Sequence, residues 1–204
     1  STPNGQTKYW YVYDEGYTTE NYYLYSADDY FTVYDFNVEE VEIIASIFDT
    51  LDPLIEIDFV QTYDLNLADI GIFSVDDVTP DSEEDVLGSA IPGQFYDTGK
   101  YYFDLLIDVT GEGQTLYQNV NTIIHELGHA LYLSHPGVDG IDDPFWDKYS
   151  TNDTVMSYNS HNDKSELYYF TPFDIAALQS IWGKEGSYIS AVLITGPTGG
   201  AGAT

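Results

Sequence analysis

Residues 120–137 read VNTIIHELGHALYLSHPG, and this stretch decides the fold that we expect for the chain. Its apolar residues recur at helical spacing, which predicts an amphipathic helix over residues 116–133. Side chains four residues apart lie on the same face of a helix. His125 and His129 can therefore direct both imidazoles at a single metal ion. The apolar stripe consists of Val120, Ile123, Ile124, Leu127 and Leu131.

A carboxylate lies between the two histidines. Glu126 is placed beside the ion rather than on it, where it can take a proton from a water molecule on the metal. Zinc suits such a pair, because imidazole is a good zinc ligand and zinc lowers the pKa of a bound water to about 7. The chain has no cysteine, so any metal must be held by His, Asp, Glu or Tyr. The alternative interpretation is a helix with two incidental histidines.

A third histidine extends this motif. His135 lies ten residues after the first histidine of the pair, and the spacing resembles the metzincin signature HExxHxxGxxH. In that family the helix breaks after the second histidine, and the chain turns back to deliver the third. Three further stretches resemble the serralysin branch of the metzincins: LSHPG at residues 133–137, TVMSY at residues 154–158 and TPFDIAALQSIWG at residues 171–183. The resemblance covers roughly residues 8–183.

The resemblance implies a zinc endopeptidase, a secreted enzyme that hydrolyses internal peptide bonds of proteins. Three residues would hold the zinc: His125, His129 and His135. Glu126 would be the general base. Tyr158 would be a displaceable fourth ligand that also acts in catalysis, by donating a hydrogen bond to the oxyanion. Met156 would be the methionine of the Met-turn, which packs beneath the metal ligands.

The same resemblance implies an α+β fold of the metzincin type. A twisted, five-stranded and mostly parallel sheet would carry two long helices above the cleft, and a small, irregular C-terminal lobe with a final helix would follow. Residues 1–195 would form the peptidase domain, with an N-terminal lobe over about residues 1–133 and a C-terminal lobe over about residues 134–195. Residues 196–204 would be a Gly-rich, flexible tail. Serralysins continue into calcium-binding repeats, and we expect that further domains could follow this tail.

Local patterns predict the other elements. Five stretches read as strands: residues 8–13, 30–36, 54–61, 68–73 and 101–108. One of the last two is expected to be the edge strand that pairs with an extended substrate. A helix is predicted to begin at Val38, with Asn37 and Glu40 as its capping pair. The last helix is predicted over residues 172–182, with Thr171 as its N-cap.

The charge of the chain limits its partners. Asp and Glu number 35 against 5 lysines and no arginine, which gives a formal net charge of −30. We expect no nucleic acid and no anionic membrane as partner, because both need a basic protein surface. No run of roughly 18 apolar residues is present that could span a membrane. We expect a monomer that acts on neutral or basic protein and peptide substrates. The acidic excess is either an ordinary solvated surface or an adaptation to high salt.

Several residues leave other interpretations open. Tyr132 occupies the glycine position of the signature, where a left-handed backbone costs a side chain roughly 1–2 kcal/mol. The main alternative is therefore a catalytically weak or inactive metzincin scaffold that acts as a binding module. Another alternative keeps the enzyme but uses Glu166 instead of His135 as the third ligand. His161 either lines the cleft or lies in a solvated loop. Calcium is a further cofactor that could bind an acidic cluster such as Asp139, Asp142 and Asp143.

Overall fold

The computed structural model describes residues 6–14, 20–24, 29–78, 86–108, 116–138, 141–159 and 169–186. These residues form nine strands and three α-helices. The strands are β1 Gln6–Val12, β2 Glu20–Leu24, β3 Asp29–Tyr34, β4 Ile57–Gln61, β5 Ile70–Val75, β6 Gly88–Gln94, β7 Tyr101–Asp108, β8 Gly137–Val138 and β9 Ile141–Asp142. The helices are α1 Val38–Leu51, α2 Leu116–Ala130 and α3 Pro172–Trp182.

Seven of the strands form one mixed sheet. Strands β4, β1, β5 and β7 lie side by side in that order and run parallel. Strand β6 lies antiparallel to β7. The β2–β3 hairpin joins β5 beyond the end of β1, since β3 pairs at Val75 whereas β1 pairs at residues 70–72. Together with the helices, this arrangement is a mixed α/β structure with a mostly parallel sheet core, which is compatible with the predicted α+β class.

Two expectations about the sheet are wrong. The sheet has seven strands rather than five, because β2 and β6 join the five predicted strands. The sequence of β6, GSAIPGQ, contains two glycines and a proline and therefore lacks the usual strand pattern. The expected edge strand also differs, because β5 has neighbours on both sides and β7 lies between β5 and β6. Among the described residues, the strand at this edge of the sheet is β6, which pairs only with β7.

Pro92 fits into β6 because its nitrogen points away from β7. Leu87 O accepts a hydrogen bond from Asp108 N at 3.0 Å, so the odd-numbered residues of β6 direct their backbone N–H and C=O groups toward β7. Phe95 N donates to Lys100 O at 2.9 Å on the same side. Backbone groups alternate in direction along a strand, so Pro92 directs its nitrogen to the open edge. A proline at this position removes no hydrogen bond from the sheet.

Helix α1 begins with the predicted capping box. Asn37 Oδ1 accepts from Glu40 N at 3.0 Å, and Glu40 Oε2 accepts from Asn37 N at 2.8 Å. The apolar face of the helix packs on the sheet, where the ring of Phe48 stacks on Trp10 with centroids 4.4 Å apart. A 3-10 turn, Asp52–Leu54, follows the helix. The predicted strand over residues 54–61 therefore begins only at residue 57.

The sheet separates two hydrophobic clusters. Leu105 of β7 belongs to the cluster under α1 and α2, whereas Leu106 belongs to the cluster on the opposite face. The helical side also includes Met156 from the segment before α3 and Leu178 from α3 itself. The helices and the chain segments that carry the candidate metal ligands therefore rest on one face of the sheet.

Helix α3 begins and ends as predicted, with Thr171 as its N-cap and Gly183 just after its last residue, at φ 94°. Helix α2 begins at the predicted Leu116 but ends at Ala130, whereas the prediction extended it to residue 133. None of the three described helices is long and apolar enough to cross a membrane. The predicted tail at residues 196–204 lies outside the described residues.

Candidate metal centre

Three histidines converge at the end of α2. His125 and His129 project from the helix, and His135 arrives from the turn that follows it. The Nε2 atom of His135 lies 3.2 Å from Nε2 of His125 and 3.2 Å from Nε2 of His129. One ring nitrogen from each residue lies within 4.8 Å of the other two. The three side chains are therefore close enough to hold one metal ion together.

Each imidazole is oriented by a hydrogen bond at its other nitrogen. Nδ1 of His125 bonds to Val155 O at 2.8 Å, and Nδ1 of His129 bonds to Leu133 O at 3.0 Å. Both acceptors are carbonyl oxygens, so these Nδ1 atoms carry the proton. The Nε2 lone pairs then face the centre of the group, which is the arrangement that outer hydrogen bonds impose on metal-binding histidines.

The turn after α2 brings the third histidine back. Leu133 N donates to Gly128 O at 2.8 Å, and Tyr132 N donates to His129 O at 2.9 Å. This pair of bonds is the Schellman motif, in which the residue after the helix adopts a left-handed conformation. Tyr132 is that residue, with φ 70°, and it is the only non-glycine residue with positive φ among the described residues. The helix ends at residue 130 for this reason, which corrects the predicted end at residue 133.

The Tyr132 side chain offsets part of the cost of this conformation. Its ring lies between the rings of Phe103 and Trp182, with centroids at 6.1 Å and 5.6 Å. Trp182 Nε1 also donates to Leu131 O at 2.9 Å. A residue of α3 thus covers the end of α2 and satisfies one of its free carbonyl groups. A tyrosine at the signature's glycine position is therefore compatible with convergence of the three histidines.

Met156 lies against the backbone of α2. Its side chain is buried, and a Cβ atom built on Gly128 would lie only 2.5 Å from the Met156 sulfur. Real Cβ atoms do not approach another atom so closely, so Gly128 leaves the space that the thioether fills. Gly128 lies between His125 and His129 on α2. Met156 therefore packs from the core side against the helical turn that carries both histidines.

Glu126 points from α2 toward strand β6. Its side chain is buried, and Gly88 of β6 has no room for a Cβ atom because Glu126 Cγ would lie 2.9 Å from it. The carboxylate accepts a hydrogen bond from the backbone of Ala90. Burial raises the pKa of Glu126 to about 7, although the bond from Ala90 acts in the opposite direction. A carboxyl group with this pKa can both accept and return a proton near neutral pH.

His125 and His129 are held in their neutral form. Burial lowers the pKa of His125 to about 4; the Val155 carbonyl acts in the opposite direction, and the neighbouring histidines lower it further. Burial and then the charge of His135 lower the pKa of His129. A metal ion binds neutral imidazole, so these two side chains need to lose no proton at neutral pH before they can bind one.

Tyr158 lies over the histidines. Its ring centroid is 5.3 Å from that of His125 and 5.1 Å from that of His135. Phe145 packs edge-on against the tyrosine at 5.3 Å, and the Tyr158 side chain remains 48% exposed. Burial, followed by the negative charges of Glu126 and Asp142, raises the pKa of Tyr158. The phenol is therefore protonated at neutral pH and able to donate a hydrogen bond.

Asp142 belongs to this site, although the sequence pointed to it only as a calcium ligand. Its Oδ2 atom lies 2.9 Å from His135 Nδ1, on the short hairpin of β8 and β9. Asp143 instead accepts from Phe145 N at 3.1 Å, and Asp139 lies outside the described residues. Among the described residues the only cluster suited to a metal ion is that of the three histidines. No sequence signal could have paired Asp142 with His135, because a tertiary turn brings them together.

Two further residues of interest, His161 and Glu166, lie outside the described residues. Elsewhere, the sequence-predicted side chains are brought together: the three histidines, Glu126, Met156 and Tyr158 occupy one region at the end of α2. Comparison with known proteins adds no relative, since no protein-family model and no curated protein matches the sequence.

Proposed function

We propose that this protein is a zinc-dependent endopeptidase of the metzincin type, similar to the serralysins. The observation that carries the proposal is the convergence of three imidazoles beside a buried glutamate, with Nε2 of His135 3.2 Å from Nε2 of both His125 and His129. Three neutral nitrogen ligands with an open remaining position are typical of catalytic zinc sites, whereas structural zinc sites are closed by four protein ligands. The metzincin fold is part of the same proposal.

The donor set fits zinc. Imidazole is a ligand of intermediate softness. The three candidate ligands are all imidazoles, with neither a thiolate nor a carboxylate among them. The hydrogen bonds from Nδ1 of each histidine to Val155, Leu133 and Asp142 would fix the rings before the metal binds. When bound, zinc would act as a Lewis acid that polarises the scissile carbonyl group and acidifies water.

Glu126 is the proposed general base. Its pKa of about 7 allows it to accept the proton of the attacking water and then to deliver that proton to the leaving nitrogen of the peptide bond. Attack of water on the carbonyl carbon forms the new C–O bond, and the C–N bond breaks as the amine leaves. No covalent link to the protein is needed, so the reaction is a direct hydrolysis.

Tyr158 is the proposed oxyanion donor. Its hydroxyl group is protonated, and its ring contacts His125 and His135 without a described hydrogen bond that would hold the phenol in another place. A hydrogen bond from this group to the developing oxyanion would stabilise the tetrahedral transition state.

The open edge of β6 is the proposed binding site for the substrate backbone. Ala90 N already donates to Glu126, and Pro92 has no N–H group, so this edge offers mainly carbonyl acceptors. The substrate would therefore be held chiefly through its own N–H groups. We also propose neutral or basic substrates, because the chain carries a net charge of −30, and a secreted, monomeric enzyme.

An inactive binding scaffold and a site built with Glu166 remain the alternatives. The experiment that separates them starts from metal analysis of the purified protein and a peptide-cleavage assay on casein, with and without a chelator. Glu126→Gln should retain zinc and lose cleavage, whereas Glu42→Gln, an exposed change on α1, should retain both. His135→Ala should reduce zinc content and Glu166→Ala should not. Full activity of Glu126→Gln would overturn the proposed mechanism.

A further inference from the structure

A second buried carboxylate lies behind the metal centre. Asp174 is in the first turn of α3, and its side chain is only 1% exposed. Its Oδ1 atom accepts a hydrogen bond from the hydroxyl group of Thr154. Its Oδ2 atom accepts from Val155 N at 3.1 Å and from Thr171 N at 2.9 Å. Asp174 therefore joins the start of α3 to the segment that carries Met156.

The contacts of Asp174 divide into two groups. Those with Thr171 form the capping box of α3, which is a local feature of many helices. Those with Thr154 and Val155 connect residues 19 and 20 positions apart in the sequence, and they contribute nothing to the cap. A helix cap alone does not require them, so the second group indicates another role for this carboxylate.

The second group leads to the metal ligands. Val155 donates its N–H to Asp174, and its carbonyl oxygen accepts from His125 Nδ1 at 2.8 Å. Thr154 Oγ1, which donates to Asp174, also accepts from Met156 N at 3.1 Å. The position of Asp174 thus determines both the acceptor that orients His125 and the course of the chain into Met156. Hydrogen bonds to an ionised acceptor are stronger than those between neutral groups, which suits a carboxylate for this task.

We propose that Asp174 is a positioning residue of the metal centre, acting on His125 through Val155. This inference rests on the proposed metal site but not on peptidase activity. Loss of an outer hydrogen bond of this kind typically lowers metal affinity 10–100-fold. Asp174 is one residue further from the metal than such a partner, because it bonds to Val155 rather than to His125 itself. We therefore expect Asp174→Asn to weaken zinc binding by about 10-fold, the lower end of that range.

The control is Thr171→Ala, which removes the side-chain cap of α3 and leaves the contacts of Asp174 with residues 154 and 155 intact. Both variants should lower the melting temperature of the metal-free protein. Only Asp174→Asn should weaken zinc binding, measured by competition with a chromophoric chelator. Unchanged zinc affinity in Asp174→Asn, or an equal loss in Thr171→Ala, would overturn the inference.

A second pair of variants decides the question if Asp174→Asn does not fold. Thr154→Val removes the hydroxyl group that donates to Asp174, and Thr154→Ser keeps it. Zinc affinity should fall in the valine variant and be restored in the serine variant; equal affinity in both contradicts the proposal. If the wild-type protein binds zinc but cleaves no peptide, the proposed function fails and this inference stands. If it binds no zinc, both fail.

Discussion

His135 Nδ1 and Asp142 Oδ2 lie 2.9 Å apart, across a hairpin of two short strands. Gly137 is paired with Asp142 in this hairpin, and a Cβ atom at Gly137 would collide with the carbonyl oxygen of Ile141. The glycine after His135 and Pro136 is thus needed for the close return of the chain. The hairpin places a carboxylate where it orients His135, the one histidine of the cluster that is not on a helix.

We predict that Asp142→Ala lowers zinc affinity by about 10–100-fold, because His135 loses the acceptor that fixes its ring. Chelator competition measures the effect. The control is Asp147→Ala, which removes the same charge from an exposed position on the same segment and should change zinc affinity less than twofold. Equal losses in the two variants would mean that Asp142 acts through charge alone.

Tyr132 provides a test of backbone strain. In the metal-free protein, Tyr132→Gly should be more stable to urea than Tyr132→Ala by about 1 kcal/mol, because glycine adopts φ 70° without a Cβ penalty. Both variants lose the ring between Phe103 and Trp182, so this loss cancels in the comparison. At Ala130, the last residue of α2, replacement by glycine should instead destabilise the protein. Alanine more stable than glycine at position 132 would contradict the assignment of strain.

The elements that the sequence predicted best are those specified by local contacts. The capping boxes of α1 and α3 join residues three positions apart, so their patterns are visible in the sequence. Strand β6 has no such local signal, because its pairing with β7 compensates for its glycines and its proline. Apolar periodicity alone placed the end of α2 too late, at residue 133, whereas the resemblance to HExxHxxGxxH implied a break after the second histidine. The contact that stabilises Tyr132 in the left-handed region, with a residue of α3, is not visible in the sequence.

The candidate site also combines residues that the sequence predicted with residues that it could not predict. The spacing within the helix was sufficient to group His125, Glu126 and His129. Asp142 and Asp174 could not be found from spacing, because each acts across a tertiary contact that depends on the folded turn or helix behind it.

Glu126 should make the stability of the metal-free protein depend on pH. Its pKa is raised from 4.5 to about 7, so the folded state binds the proton more tightly than the unfolded state. The free energy of unfolding should then fall as pH rises between these two values. Glu126→Gln removes this pH-dependent loss of stability. The free energy of unfolding of the variant minus that of the wild type should therefore be about 2 kcal/mol larger at pH 8 than at pH 5.

The comparison of variants isolates this group. His125, with its pKa lowered to about 4, destabilises the fold as pH falls below 6.5, but it does so in both proteins and cancels. Chemical denaturation at the two pH values measures the difference, with Glu42→Gln on the exposed face of α1 as the reference variant. A constant difference between Glu126→Gln and the wild type would show that the carboxyl group is not perturbed.

Tyr158→Phe should reduce kcat for casein peptides by about 100-fold while zinc content stays the same, because the variant lacks only the hydroxyl donor. The phenyl ring keeps its contacts with His125, His135 and Phe145. Tyr63→Phe, at an exposed position, serves as the control for loss of a phenol. A parallel loss of zinc and turnover would assign Tyr158 a structural role.

The acidic surface predicts a salt dependence. With a net charge of −30, self-repulsion should destabilise the fold at low ionic strength. The screening length falls from about 10 Å at 0.1 M salt to about 3 Å at 1 M, so the melting temperature should rise over this range of sodium chloride. An uncharged osmolarity control, glycerol at matched osmolality, should not reproduce the chloride curve. A melting temperature that is equal at both salt concentrations would leave only the solvated-surface interpretation.

The position of Pro92 has a consequence for the behaviour of the molecule in concentrated solution. An unprotected β-strand at the edge of a sheet is a template on which identical chains can polymerise edge to edge. Pro92 presents no N–H at that border, and the amide of Ala90, two residues before it, is occupied by Glu126. A second copy would find few donors to complete a ladder, so the edge of β6 can stay accessible without promoting aggregation.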